Sequence, residues 1–136
     1  MISSAEEFAL LRCSDDLAEQ QRAGSEEAPL EVWLKVISEI PELREWVAHN
    51  NTVPLSVLEL LAHDPDSRVR ATVATKRKLS PELQRVLARD IDSSVRERLA
   101  CNAKCTIEVL QVLSTDAEAF VRAAAVRRLA ERGGAL

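Results

Sequence analysis

The sequence predicts an all-α solenoid of short helix pairs, and three observations carry that prediction. The first is a period of 26 residues: Leu43-Arg44, Val69-Arg70, Val95-Arg96 and Val121-Arg122 are each 26 apart, as are Val57, Leu83 and Val109, and Asp64, Asp90 and Asp116. The second is composition. With 46% hydrophobic and 29% charged residues, three glycines, no tyrosine and four large aromatics (Phe8, Trp33, Trp46, Phe120), the chain is globular but unlike a sandwich or barrel. The third is the pattern inside each period, where apolar residues recur at helical spacing in two short bursts. One domain over 1–136 is expected, with 1–40 as an irregular N-terminal helical cap and 41–132 as the repeats.

Taken in order, Ser4 before Ala5-Glu6-Glu7 and the apolar Phe8, Leu10 and Leu11 predicts a capped first helix, with Glu7 reaching back to Ser4. Ser14 or Asp15 caps a second segment from Leu17 to Arg22, and Ala23-Gly24-Ser25 reads as a turn. Pro29 suits a first helical turn, and Leu30, Trp33, Leu34 and Ile37 at i, i+3, i+4, i+7 predict a strong amphipathic helix. Pro41 then restarts the chain for the repeats.

Each repeat divides into a helix A (43–50, 69–76, 95–102 and from 121 onward) and a helix B. Asn50 and Asn102 fall where a left-handed C-terminal cap favours asparagine. Helix B starts at Pro54-Leu55, Ser80-Pro81 or Thr106-Ile107, with Ser80 and Thr106 as N-caps. Its expected buried triplet is i, i+3, i+4, as in Leu83, Val86 and Leu87. Helices this short are marginal in isolation, so neighbours must stabilise them. The last helix A, solvated by Arg127, Arg128, Glu131 and Arg132, is expected to stop at Gly133-Gly134.

Leu87-Ala88-Arg89-Asp90 followed by Val95-Arg96 and Leu99-Ala100, with Ser80-Pro81-Glu82-Leu83 opening the second helix, resembles HEAT-type repeats. It is especially similar to the short-helix subgroup called leucine-rich repeat variants. The resemblance covers 41–132 and implies a right-handed HEAT-like or ARM-like superhelix. The founding member of the subgroup has a cysteine-bound iron–sulfur cluster before its repeats; only Cys13 precedes the repeats here, so no cofactor is carried over.

The net charge is -4, divided as -7 over 1–50 and +3 over 51–136. That polarity can orient a partner but is too mild to diagnose nucleic acid. No apolar run approaches a membrane span and no signal peptide is visible, so a soluble, cytoplasmic protein with no membrane contact is expected. Cys13, Cys101 and Cys105 cannot all pair within one chain, which fits reduced thiols.

The acid–base pairs Asp64/Arg70, Asp90/Arg96 and Asp116/Arg122 recur with the period, which marks them as a structural ladder: an Arg fork can hold a carboxylate within or beside its unit and bond turn carbonyls. Cys101 and Cys105 with His49 invite a metal, but His49 and Cys101 lie two repeats apart and Cys105 stands in the column of Val53 and Leu79. No metal site is expected. No nucleophile–base set or phosphate loop is present, so no catalytic residue is assigned and no enzyme is expected.

Two binding surfaces remain. The second-helix face, with Leu58, Glu59, His63, Arg85, Arg89, Leu110 and Gln111, offers a mixed groove for another protein or peptide; buried padding by Leu58 and Leu110 is the alternative. The basic run Lys76, Arg77 and Lys78, with Arg85 and Arg89 nearby, could track a nucleic-acid backbone, although no aromatic residue interleaves to stack bases. The expectation is a protein-interaction scaffold or regulatory subunit, with nucleic-acid binding as the alternative. Its last helix could also pair with a second copy, and the sequence does not separate a scaffold from an inhibitor or immunity protein.

Overall fold

The computed structural model describes residues 1–133, and among them lie ten α-helices, one 3₁₀ turn and no strand. The chain divides into two compact units, Met1–Leu61 and Ala62–Leu136. The expected stop at Gly133-Gly134 is half visible: Gly133 takes the left-handed conformation at φ 65°, while Gly134 lies outside the described residues.

In the first unit, α1 (Ala5–Arg12), α2 (Leu17–Ser25) and α3 (Leu30–Glu39) precede a 3₁₀ turn (Pro41–Leu43), α4 (Arg44–His49) and α5 (Leu55–Leu61). Ser4 caps α1 by accepting from the Glu7 N–H at 3.0 Å, but Glu7 bonds the N–H and hydroxyl of Ser3, not Ser4. Asp16, the third polar residue of its run, caps α2 through the Ala18 N–H, while Ser14 receives the Asp16 N–H. Ala23, Gly24 and Ser25 extend α2 where a turn was expected. On α3 the buried face is Val32, Trp33 and Val36, whereas Leu30 and Leu34 are exposed. Phe8 of α1 meets Trp33 edge-on at 5.3 Å between ring centres, and both are fully buried. That pair anchors the unit, because large aromatics bury the most apolar surface per residue.

The second unit comprises α6 (Ser67–Ala74), α7 (Pro81–Leu87), α8 (Ser93–Ala100), α9 (Ile107–Leu113) and α10 (Ala119–Glu131), with α8 packed between α6 and α10. In this unit helices A begin two residues earlier than expected, and at α6 and α8 a second acid caps the start. Asp64 accepts from the Asp66 N–H and Asp66 from the Arg68 N–H, and Asp90 and Asp92 repeat the relay into Ser94. Glu118 stands in the same column and makes no side-chain cap on α10. Ser80 and Thr106 cap helices B as expected, accepting from Leu83 and Val109.

The buried pattern on helix B is i, i+1, i+4, not i, i+3, i+4. Val57, Leu58 and Leu61, then Leu83, Gln84 and Leu87, then Val109, Leu110 and Leu113 are buried, while Leu60, Val86 and Val112 are exposed. One turn of a seven-residue helix has room for either stripe. The stripe that faces the neighbouring helices is the one that wins.

Candidate interaction grooves

The ladder residues come first because they decide which charges are available. Arg70 grips Asp90 through Nε at 2.8 Å and Nη2 at 3.2 Å, and Arg96 grips Asp116 through Nε at 2.7 Å and Nη2 at 3.2 Å. Each arginine reaches the aspartate twenty residues later; toward the one six earlier it donates to the backbone, Arg70 to the Asp64 carbonyl at 2.8 Å and Arg96 to the Asp90 carbonyl at 2.6 Å. Arg122 repeats the carbonyl contacts, to Asp116 and Ala117. Both paired carboxylates are under a tenth exposed, so the pairs join neighbouring repeats and face little solvent. Burial pushes the Asp116 carboxyl up, but the hydrogen bond from Arg96, the Glu118 N–H and the charge of Arg96 outweigh it and hold the group below the ordinary aspartate value. The same pairing raises Arg70 and Arg96.

Asn50 and Asn102 are not left-handed caps: no residue other than glycine has positive φ among those described, and both asparagines are buried. Each reaches back across one repeat. Asn50 donates to the carbonyls of Ala23 and Glu26 at 2.8 and 3.1 Å, and Asn102 to those of Ala74 and Lys76 at 2.8 Å each. Their carbonyl oxygens take the N–H of Thr52 and Lys104. In the same column Arg128 donates to the Cys101 carbonyl at 2.7 Å, and Arg132 donates to Cys105 and Ala103. The terminal arginines thus clamp a loop as well as solvating an end.

Two grooves open beside these clamps. In the first unit a groove of about 590 Å³ is lined by Arg12, Leu17, Gln20, Gln21, Ala23, Gly24, Ser25, Trp46, His49 and Asn51. In the second, one of about 240 Å³ is lined by Thr75, Arg77, Arg98, Cys101, Asn102 and Ala103. Adding 52 residues, two periods, to Ala23, Ser25, Trp46, His49 and Asn51 gives Thr75, Arg77, Arg98, Cys101 and Ala103. It is one groove, built twice with different linings. In the first, the Arg12 guanidinium lies 3.4 Å above the Trp46 ring and His49 meets the same ring edge-on at 5.7 Å. In the second, Arg77 and Arg98 make no ion pair among the described residues.

The residues expected on a helix-B binding face scatter. Leu58 and Leu110 are fully buried, so they pad the core and offer no surface. Glu59, His63, Arg85, Arg89 and Gln111 are exposed, and Arg85 pairs with Glu108 at 3.1 Å in full view of solvent, where such a pair contributes little. Within the basic run, Lys76 is half-buried, and burial followed by the charge of Lys78 pushes its ammonium below the usual lysine value, whereas Arg77 faces its groove and Lys78 is exposed. Cys105 is buried and its thiol is pushed up to about 11, chiefly by that burial, while Cys13 and Cys101 are exposed. No group of three or more His, Cys, Asp or Glu positioned to hold a metal occurs among the described residues. No described helix is long and apolar enough to cross a membrane.

The groove columns were missed because they are not apolar. Trp46/Arg98 and His49/Cys101 change character at each recurrence, and only their place just before the clamping asparagines links them.

Comparison with known families adds one finding. A family model described as leucine rich repeat variant matches residues 41–66. These residues are similar to a single leucine-rich repeat variant unit. The matched stretch holds the 3₁₀ turn, α4, α5 and the Asp64–Asp66 relay. After the matched stretch, the order of short helix, loop, short helix and acidic turn recurs with a 26-residue period. No curated protein and no solved structure matches the chain.

Proposed function

We propose that the chain is a protein-interaction module, a scaffold or regulatory subunit that holds a partner and catalyses nothing. The observation that carries this reading is the groove built twice with different linings. A reaction centre assembles its groups at one place, whereas a surface that reads an extended partner repeats a shape and varies its chemistry. The ladder supports the same view, since the carboxylates of Asp90 and Asp116 are spent on neighbouring repeats and are not held for proton transfer. Three cysteines without a disulfide suit a reducing, cytoplasmic compartment.

Photo-crosslinking in the native cell from the exposed positions Leu17 and Ala103 tests the reading. The expected product is one discrete protein adduct from each groove. Adducts to nucleic acid alone overturn it.

A second reading is favoured by one feature, the two arginines that line the smaller groove, whose charge suits phosphates. Replacing Arg77 and Arg98 with Glu tests it better than altering Lys76, which is half-buried. If a salt-sensitive gel shift with duplex DNA or RNA is present in the parent and disappears in that variant, the nucleic-acid reading replaces the first.

A further inference from the structure

Residues 1–61 carry twelve acids against four bases, and yet Arg12 makes no ion pair and no hydrogen bond among the described residues. The other bases of the unit are engaged: Arg22 by Glu26 and Glu7, Lys35 by Glu6 and Glu39, and Arg44 by the Ile37 carbonyl. The Nε of Arg12 is buried without any partner. Leaving such a donor unmet is costly, and three acids for every base make pairing easy to arrange, so the isolation calls for an account. The wall opposite is neutral. Asp15, Asp16 and Glu19 stand on the same segment, but the side chains that line the groove are Leu17, Gln20 and Gln21. Trp46 holds the guanidinium plane from beneath, which fixes the fork before anything binds.

We infer that this groove binds one carboxylate side chain, an Asp or Glu flanked by aliphatic residues in an extended segment of a partner protein. Arg12 takes the carboxylate, and Leu17 and the rim of Trp46 take the flanking apolar groups. Trp46 is covered by Arg12 on one side and met edge-on by His49, an arrangement that does not offer it as a platform for nucleic-acid bases. The surrounding acids repel a polyacidic segment, so the site selects a single charge. The inference rests on the protein-interaction reading and names what the larger groove recognises.

The test uses the full chain and follows the indole N–H resonance of Trp46 during titration with end-blocked Leu-Ala-Glu-Ala-Leu, its Gln counterpart and a counterpart with three consecutive Glu. The single-Glu peptide is expected to shift that resonance saturably, the Gln peptide to bind at least about tenfold more weakly, and the triple-Glu peptide to bind no better. Arg12→Gln should remove the Glu/Gln discrimination while circular dichroism stays unchanged, and Arg12→Lys, which keeps charge but loses the planar fork, should restore only part of it. Equal binding of the Glu and Gln peptides, or no saturable shift with either, overturns the inference. So does an equal shift with acetate or inorganic phosphate, which would show an adventitious ion only. If Arg12→Gln still crosslinks to the same partner from Leu17 at undiminished yield, the inference fails and the wider reading stands; loss of every protein adduct from the parent chain fails the wider reading itself.

Discussion

The two units solve the same packing problem with different chemistry. The first centres on the buried Phe8–Trp33 pair, whereas the second has no buried aromatic among its described residues, with Phe120 partly exposed, and relies on Val, Leu and Ala with two well-shielded Arg–Asp pairs between repeats. Their grooves differ in the same sense: one is stacked and largely neutral around a single guanidinium, the other carries two arginines. A fixed period therefore dictates where helices lie and which turns are capped. It leaves the residues at the ends of helix A free to vary.

The comparison can be broken from either side. The largest effect is expected from Phe8→Ala, which should cost about 3–5 kcal/mol in urea unfolding, whereas Phe120→Ala, at a partly exposed site, should cost under about 1 kcal/mol. Similar losses at both positions would remove the contrast between the cores. Next, Arg96→Ala leaves the Asp116 carboxylate without its partner and should cost about 2–4 kcal/mol, the lower range for a broken buried pair because both groups keep some solvent. Replacing the pair together with Met and Leu should return most of that loss, measured in the same denaturant series.

Smaller still, Asn50→Ala and Asn102→Ala should each cost about 2 kcal/mol and speed hydrogen exchange at the Thr52 and Lys104 amides respectively. Equal losses would show that the clamp works alike in both units, the feature they share. The mildest effect concerns acid. Asp116, Asp66 and Asp92 have lowered folded values, so their contribution is fully present above the ordinary aspartate value of 3.8 and is lost only as pH falls through the lower folded values. Circular dichroism should therefore stay flat from neutral pH down to about 4 and decline below it, with Asp116→Asn flattening the decline relative to its own neutral baseline.

Much of the fold was legible because repetition converts weak local signals into a strong one. Val69, Val95 and Val121 are buried as their shared column required, and Ser80 and Thr106 cap where their side chains suggested. What escaped was decided by geometry between elements. Asn102 carries the composition of a left-handed cap, but its amide is drawn to carbonyls 26 and 28 residues earlier, a choice no local window contains. Val86 and Gln84 exchanged expected places because a two-turn helix presents either stripe, and Gln84 becomes tolerable inside by bonding the carbonyls of Leu79 and Lys104 and the Thr106 N–H. The grooves were hidden for a related reason. Arg12 and Trp46 stand 34 positions apart, outside any periodic column, and only folding brings them together.

The backward reach of the clamps also bears on how the protein is made. The loop at Ala74 and Lys76 is fastened by Asn102, and the loop at Cys101 and Cys105 by Arg128 and Arg132, so each stretch waits for a side chain synthesised 26 to 29 residues afterwards. A chain emerging from the ribosome therefore locks its loops one at a time, a repeat behind the stretch that has just emerged, and a stop codon before Arg128 leaves the last of them unfastened.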